Sequence, residues 1–220
     1  MTLPNNSDNS HLNASSNDAL AHRPITSFKA YDIRGELGVN LDEDIAYRIG
    51  RAFAQILASQ KNDSQGNETL ENSIVIGCDI RDSSEMLKQA TIRGIIDAGV
   101  VVIDLGMTGT EEVYFGTSHY NALGGIEVTA SHNPINYNGL KLVREGSRPI
   151  SADSGLAEIQ ALAEQGDFAA STQAGKVVER FDKTAYVDHL MSFIDTDKLV
   201  PLKIVINSGN GSAGPTVDLL

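Results

Sequence analysis

The most informative segment of the chain, residues 125–141, reads Gly125-Ile-Glu-Val-Thr-Ala-Ser131-His-Asn-Pro-Ile-Asn-Tyr-Asn-Gly-Leu-Lys141. Its first half has the apolar and β-branched residues of a buried strand, and a second strand leaves at Gly139. The polar turn between them begins with Ser131 and His132. Open α/β sheets bind ligands beyond the carboxyl ends of their strands. The segment therefore predicts a strand that carries a reactive serine into a binding site.

The same turn also has a purely structural interpretation. Asn and Ser side chains bond nearby backbone groups and proline fixes φ, so these residues are common in turns that have no other role. In the catalytic interpretation Ser131 is a nucleophile, and His132 or Lys141 moves protons or holds phosphate charge. The Gly-x-Ser-x-Gly frame of a hydrolase nucleophile elbow is absent. Composition alone leaves both interpretations open.

Helix and strand patterns alternate on both sides of this segment. Apolar residues at helical spacing predict helices over 42–58, 83–98, 111–121 and 153–165. Short apolar runs predict strands over 74–78, 100–105, 125–130 and 139–144. This alternation indicates an α/β fold with a mixed, mostly parallel sheet and helices on both faces.

The two ends of the chain differ from its centre. Residues 1–25 are rich in Asn, Ser, Asp and Ala, which predicts a disordered tail. Periodicity is lost after Gln165, so we predict a first domain over 26–172, a linker over 173–182 and the start of a second α/β domain over 183–220.

The predicted second domain contains a helix over 183–194, a strand over 203–206 and a glycine-rich turn, but no returning strand. We therefore expect it to be incomplete at Leu220.

Charge and composition exclude several classes of protein. A formal net charge of −12 argues against a nucleic-acid groove, although local cations can still bind a small phosphorylated ligand. No run of 18 apolar residues predicts a membrane span, and the N-terminus lacks the apolar core of a signal peptide. The single cysteine, Cys78, fits a cytoplasmic protein. The five histidines lack zinc-site spacing, so we expect no histidine metal site.

Four segments, in order, resemble the motifs of the α-D-phosphohexomutase family. They are Phe28-Lys-Ala-Tyr-Asp-Ile-Arg-Gly35, Gly77-Cys-Asp-Ile-Arg-Asp-Ser83, the serine loop Thr129-Ala-Ser-His-Asn-Pro134, and Asn207-Ser-Gly-Asn-Gly-Ser-Ala-Gly214. Residues 109–115 and 141–151 are similar to the phosphomannomutase branch of the family, which serves GDP-mannose synthesis. The resemblance implies an isomerase that interconverts mannose 6-phosphate and mannose 1-phosphate through a phosphoserine.

The resemblance also assigns roles to individual residues. Ser131 matches the serine that carries the phosphoryl group, and Arg34 matches a residue beside it. His132 and Lys141 match positions for proton handling or charge stabilisation. Tyr31 and Lys29 match substrate-facing positions, although many relatives have arginine where this chain has Lys29. Arg81 either contacts substrate or pairs with Asp79 or Asp82 to hold its own turn.

A magnesium ion and a sugar 1,6-bisphosphate complete what the resemblance implies. Mg²⁺ would bind Ser131 through its phosphate, and the other metal ligands in this family come from an Asp-Gly-Asp-x-Asp-Arg loop that does not occur in these 220 residues. The sugar-specificity loop and the last phosphate-binding domain are absent as well. We therefore expect hexose phosphates as substrates but no turnover by this chain alone.

Three alternatives stay open. Phosphoglucomutase and phosphoglucosamine mutase are possible, because the loop that reads the sugar is not in the chain. A sugar-phosphate-binding module without catalysis is a second class. Finally, Gly209-x-Gly211-x-x-Gly214 fits the dinucleotide-binding pattern after a predicted strand, but the pattern is short and the position of its acidic partner, about 20 residues on, lies beyond Leu220.

Overall fold

A computed structural model describes residues 21–63 and 71–220 of the protein. Within these residues seven strands form one sheet: β1 (Ile33–Glu36), β2 (Glu71–Cys78), β3 (Val101–Met107), β4 (Ala122–Val128), β5 (Tyr137–Arg144), β6 (Arg148–Pro149) and β7 (Val177–Glu179). The α-helices are α1 (Glu43–Asp63), α2 (Ser84–Asp97), α3 (Thr110–His119), α4 (Leu156–Gln165), α5 (Thr184–Met191) and α6 (Gly214–Val217). None of these helices is both long enough and apolar enough to cross a membrane.

The strand order in the sheet is β1-β5-β4-β2-β3-β7, with β6 beside β5. Strand β2 pairs in parallel with both β3 and β4, and β7 extends the parallel part beyond β3. Strand β5 is antiparallel to β1, β4 and β6. The sheet is therefore mixed as predicted, and among the described strands β5 alone runs against the common direction.

The chain leaves β2 in one direction through α2 to β3, and then returns through α3 to β4 on the other side of β2. This reversal is a topological switch point, where open α/β sheets form their binding crevice. The reversal also places α2 and α3 on opposite faces, because parallel crossovers keep one hand. Helices lie on both faces of the sheet, as predicted.

The larger core fills the face covered by α1, α2 and α4. Its fully buried members include Phe53 from α1, Ile95 from α2, and Ile76 and Ile126 from the sheet. A smaller cluster on the other face joins Val113 of α3 to the sheet. The apolar positions recur at helical spacing in the helices and form continuous buried runs in β2 and β4, which is why the sequence predicted these elements.

Two predicted features of the chain ends differ from the structure. Residues 1–20 of the predicted disordered tail lie outside the described residues, but Arg23 bonds Asp42 and Asp44 and Ile25 is buried. Part of the predicted linker, Val177–Glu179, pairs with β3 as the edge strand β7. An available sheet edge and a buried apolar contact order these segments despite their polar composition.

The predicted strand over 203–206 is absent, and this prediction was wrong. Its residues pair with no other strand in the described chain, and Val205 is 96% exposed. Their β-branched side chains favour an extended backbone, but a strand forms only where a neighbouring strand accepts its hydrogen bonds. The glycine pattern from Gly209 to Gly214 therefore does not follow a strand, which weakens its interpretation as a dinucleotide-binding turn.

Helices α1 and α2 pack so closely that Gly94 has no room for a side chain. A Cβ atom at this position would lie 2.2 Å from the carbonyl oxygen of Tyr47 and 2.7 Å from the amide nitrogen of Arg51. Alanine is ordinarily the better helix former, but we expect Gly94→Ala to lower the free energy of unfolding by about 2 kcal/mol through the forced separation of the helices. Thermal unfolding measures this. Gln89→Ala, on the exposed side of α2, is the control and should change little.

Candidate active site

The carboxyl ends of β2, β3 and β4 lie side by side at the switch point of the sheet. The turn after β2 carries Asp79 and Arg81, Thr108 follows β3, and the turn between β4 and β5 carries Ser131. The predicted reactive serine therefore lies at the sheet edge where the fold forms its crevice.

Ser131 itself has a left-handed backbone conformation, with a φ of 55°. Its amide donates to Thr129 Oγ1 at 2.9 Å, and that hydroxyl in turn donates to Asp79 Oδ2 at 2.7 Å. The other carboxylate oxygen of Asp79 accepts a hydrogen bond from Ser84 Oγ at 2.6 Å. Left-handed φ is costly for a residue other than glycine and persists only where the surroundings fix it. Thr129 and Asp79 provide that support.

Arg81 ties the serine turn to the sheet. Its Nη2 donates to the carbonyl oxygens of Ser131 and Asn133 at 2.9 and 2.6 Å. Its Nη1 donates to those of Pro134 and Tyr137 at 2.8 and 3.2 Å. The same guanidinium lies 3.5 Å from Asp79 through Nε. Because its terminal nitrogens already bond backbone oxygens, Arg81 here holds the turn, the structural role weighed above.

Arg34 approaches the same turn from β1. Its Nη1 donates to the carbonyl oxygen of Thr129 at 2.5 Å, and its Nε donates to Asp32 at 2.9 Å. Its other terminal nitrogen, Nη2, has no hydrogen bond within the described residues. Strand β1 pairs with β5, so the sheet brings Arg34 beside the serine turn from a part of the chain about a hundred residues away.

His132 lies next to the nucleophile in space as well as in sequence. Its Nδ1 is 3.3 Å from Ser131 Oγ, and both residues are exposed. They line an open cleft of about 590 Å³, whose lining also includes Arg81 and, from the glycine-rich turn, Gly211 and Ser212. The cleft has room for a small ligand beside the serine hydroxyl.

The other predicted site residues are not in direct contact with Ser131. Lys141 lies on β5 opposite Glu127 of β4. Tyr31 is 78% exposed, and Lys29 donates from Nζ to the carbonyl oxygen of Thr26 at 3.2 Å. Neither Tyr31 nor Lys29 lines the cleft. In this structure the serine turn and Arg34 form the centre of the site.

Metal ligands are scarce around this centre. The described part of the chain contains no group of three or more His, Cys, Asp or Glu side chains able to hold a metal ion. A cation at Ser131 would be bound through phosphate oxygens and further ligands.

The roles of Asp79 and Thr129 were not predicted from the sequence. Both occur in the motifs quoted above, Asp79 directly after a buried strand and Thr129 two residues before Ser131. An acid at a strand's carboxyl end is a recognisable signal, but only the parallel pairing of β2 and β4 shows that it reaches the serine turn.

The chain is similar to known proteins over most of its length. The family model described as "Phosphoglucomutase/phosphomannomutase, alpha/beta/alpha domain I" matches residues 26–170. A phosphomannomutase of Vibrio cholerae serotype O1 is 54% identical over 198 residues, which are 90% of this chain and 41% of that protein. A phosphomannomutase of Escherichia coli K12 is 54% identical over 200 residues, with the same two shares. The chain thus spans about 41% of the length of these curated relatives.

A solved structure shows the same fold. It is a phosphoglucomutase/phosphomannomutase family protein of Burkholderia thailandensis, 34% identical, with a TM-score of 0.76 over 88% of this chain and 41% of that one. The family match covers strands β1 to β6, the serine turn and Arg34, and the structural match extends over most of the described residues. The chain belongs to the phosphoglucomutase/phosphomannomutase family.

Proposed function

We propose that the protein is a phosphomannomutase in which Ser131 carries the transferred phosphoryl group. One observation carries this proposal: a serine in a supported left-handed turn faces an open cleft at the sheet's switch point. The turn is held by Arg81 and Asp79, so the hydroxyl is positioned before a ligand arrives. Phosphoryl transfer depends on such positioning and on cations more than on elaborate covalent chemistry.

The proposed reaction uses Ser131 twice. The bond between phosphorus and Ser131 Oγ breaks as the free hydroxyl of mannose 6-phosphate or mannose 1-phosphate bonds the phosphorus. The sugar hydroxyl loses its proton and the serine regains one, which gives a bound 1,6-bisphosphate. The bisphosphate then reorients in the site. Ser131 accepts its opposite phosphoryl group, and the sugar leaves as the other monophosphate. The phosphoserine is restored and no phosphate is lost.

The neighbouring residues have distinct proposed roles. His132 Nδ1 is 3.3 Å from Ser131 Oγ, within reach for moving the serine proton. Arg34, whose Nη2 is free, can offer one donor to a phosphate oxygen while Nη1 holds the turn. Lys141 would stabilise charge or move a proton during transfer, and Tyr31 and Lys29 would contact the sugar phosphate.

The choice of sugar rests on the relatives. Those at 54% identity are named phosphomannomutases, and a relative of Xanthomonas campestris at 48% identity is named phosphohexose mutases. Mannose phosphates are therefore the proposed substrates, with phosphoglucomutase and phosphoglucosamine mutase as the alternatives within the family.

Mg²⁺, a sugar 1,6-bisphosphate activator and a cytoplasmic location belong to the same proposal, the last supported by the buried free thiol of Cys78. We also propose a first domain over 26–172, supported by the family match to 26–170, with 173–182 as a link to a second domain from 183. The absence of turnover by these 220 residues alone stays a prediction.

Mass spectrometry of the protein from its native source tests the proposal. The Ser131 peptide is expected to carry one phosphoryl group, and Ser131→Ala expressed in the same host is expected to lack it while its circular dichroism is unchanged. Wild-type protein that bears no phosphate on Ser131, even after exposure to mannose 1,6-bisphosphate and Mg²⁺, would contradict a phosphoryl carrier. It would favour the binding module instead.

A further inference from the structure

Glu127 is an acid in an unusual place, inside the sheet and behind the serine turn. It is 1% exposed and lies on β4, four residues before Ser131. Its Oε2 accepts a hydrogen bond from Thr108 Oγ1 at 2.7 Å. Its Oε1 is buried and has no hydrogen-bond partner in the described structure. Burial raises the pKa of this carboxyl well above its ordinary value. A buried carboxyl oxygen without a partner is costly, so a second partner is to be expected.

The sheet register places Lys141 opposite Glu127. The two residues are antiparallel neighbours on β5 and β4, so their side chains share the face of the sheet that α3 covers. Lys141 is half-buried and has no hydrogen bond or ion pair within the described residues. An acid with one carboxyl oxygen unpartnered and a base without a partner in the described residues thus lie side by side, directly behind the turn that carries Ser131.

The other charged groups around Glu127 do not satisfy it. The negative charges of Asp79, Glu111 and Glu112 repel the carboxylate of Glu127 and disfavour its charged form. Lys183, from the start of α5, is already bonded to Glu112. Cys78 and Tyr114 lie close enough to interact with Glu127 electrostatically, but both have a raised pKa and are neutral near pH 7, Cys78 at about 12. Lys141 is the cation that the register makes available.

We propose that Glu127 is a positioning residue for Lys141, whose ammonium group it holds through Oε1 on the inner face of the sheet. The flexible stem of lysine lets the ammonium group leave this partner for a phosphate oxygen at Ser131, and return after transfer. This inference rests on the proposed function for the role of Lys141, but the contact itself does not depend on catalysis.

Competitive amine labelling of the chain tests the contact. A lysine amine held in this contact is shielded from the reagent, so Lys141 should react slowly with acetic anhydride. In Glu127→Gln, which keeps an oxygen for Thr108, we expect Lys141 to react at least about 5-fold faster, because the hydrogen bond to a charged partner that shields its amine is lost. Exposed Lys198 is the internal reference. Glu111→Gln removes the same charge without a contact and should leave Lys141 unchanged.

An equal rate for Lys141 in wild-type and folded Glu127→Gln would overturn the proposal. If that variant does not fold, the carboxyl carbon of Glu127 is followed by NMR in wild-type and Lys141→Gln. Its titration midpoint should rise when the ammonium group is removed, and an unchanged midpoint would also overturn the proposal. Neither readout needs turnover. If the labelling of Lys141 changed in a protein that is never phosphorylated on Ser131, the proposed mutase function would be contradicted and the contact between Glu127 and Lys141 would be supported.

Discussion

Replacing Arg81 with alanine is expected to release the serine turn while the rest of the sheet stays folded. The variant loses four hydrogen bonds from one guanidinium to the carbonyl oxygens of residues 131, 133, 134 and 137. Charged donors contribute more than neutral ones, and a local loss of about 3 kcal/mol corresponds to about 100-fold more frequent opening. Hydrogen exchange of the peptide 129–137 should therefore be about 100-fold faster. Phosphate on Ser131 should fall with it, because an unheld hydroxyl is not positioned for transfer.

Two further variants distinguish the hydrogen bonds of the Arg81 guanidinium from the effect of its positive charge. Arg81→Lys keeps the positive charge but lacks the planar fork, so it is expected to protect the turn only partly. Arg93→Ala removes an exposed arginine whose single ion pair, to Glu43, is also exposed, and should leave exchange in the turn unchanged. If Arg81→Ala exchanged like wild-type in this peptide, Arg81 would not be holding the turn, and its guanidinium would be available for a ligand.

The alternation of helices and strands could be predicted because burial of side chains imposes a pattern of apolar residues on the sequence. Helices α1 and α2 bury apolar side chains at helical spacing, and β2 and β4 bury continuous apolar runs, so both signals are visible in the sequence. Strand β1 has no comparable signal, since it is four residues long and only Ile33 and Gly35 are buried. Strand β1 forms because it pairs with the edge of β5, and the local sequence of residues 33–36 does not show that this edge is available.

The same limit explains two differences between the predicted and the observed strands near the end of the described chain. Val177–Glu179 and residues 203–206 both contain β-branched residues, yet only the first segment meets a free sheet edge, on β3. Pairing, and not local composition, decides between strand and irregular chain in these two segments.

In the candidate site, too, some residues could be predicted from the sequence and others could not. The residues of the serine turn could be named from the sequence because they are contiguous and chemically distinctive. Arg34 was placed beside the serine only by the family resemblance, and the hydrogen bonds that Arg81 and Asp79 make to the serine turn were not predicted, because only the strand order brings these residues together. Glu127 was read as part of a buried strand, and its partner is set by the register between β4 and β5.

Replacing Gly139 with valine is expected to destabilise the sheet and to disconnect Arg34 from the site. A Cβ atom on Gly139 would lie 2.0 Å from the carbonyl oxygen of Ile33 and 3.1 Å from Cδ of Arg34. Strand β1 would have to move away from β5, and the bond from Arg34 to Thr129 would be lost with it. We expect the free energy of unfolding to fall by about 3 kcal/mol or more, the range of severe packing errors. Urea unfolding followed by circular dichroism measures it.

The sign of the change in the free energy of unfolding distinguishes a packing effect from the intrinsic strand propensity of valine. Valine favours strands and glycine disfavours them, so propensity alone predicts that Gly139→Val is stabilising. The clash involves Cβ itself, so Gly139→Ala should already cause most of the loss. Arg148→Val, at an exposed position of β6, is the matched control and should change stability little. Unchanged or increased stability in both Gly139 variants would mean that β1 does not pack on β5 as described. The placement of Arg34 beside the serine turn would then be contradicted as well, because that strand pair brings residue 34 to Thr129.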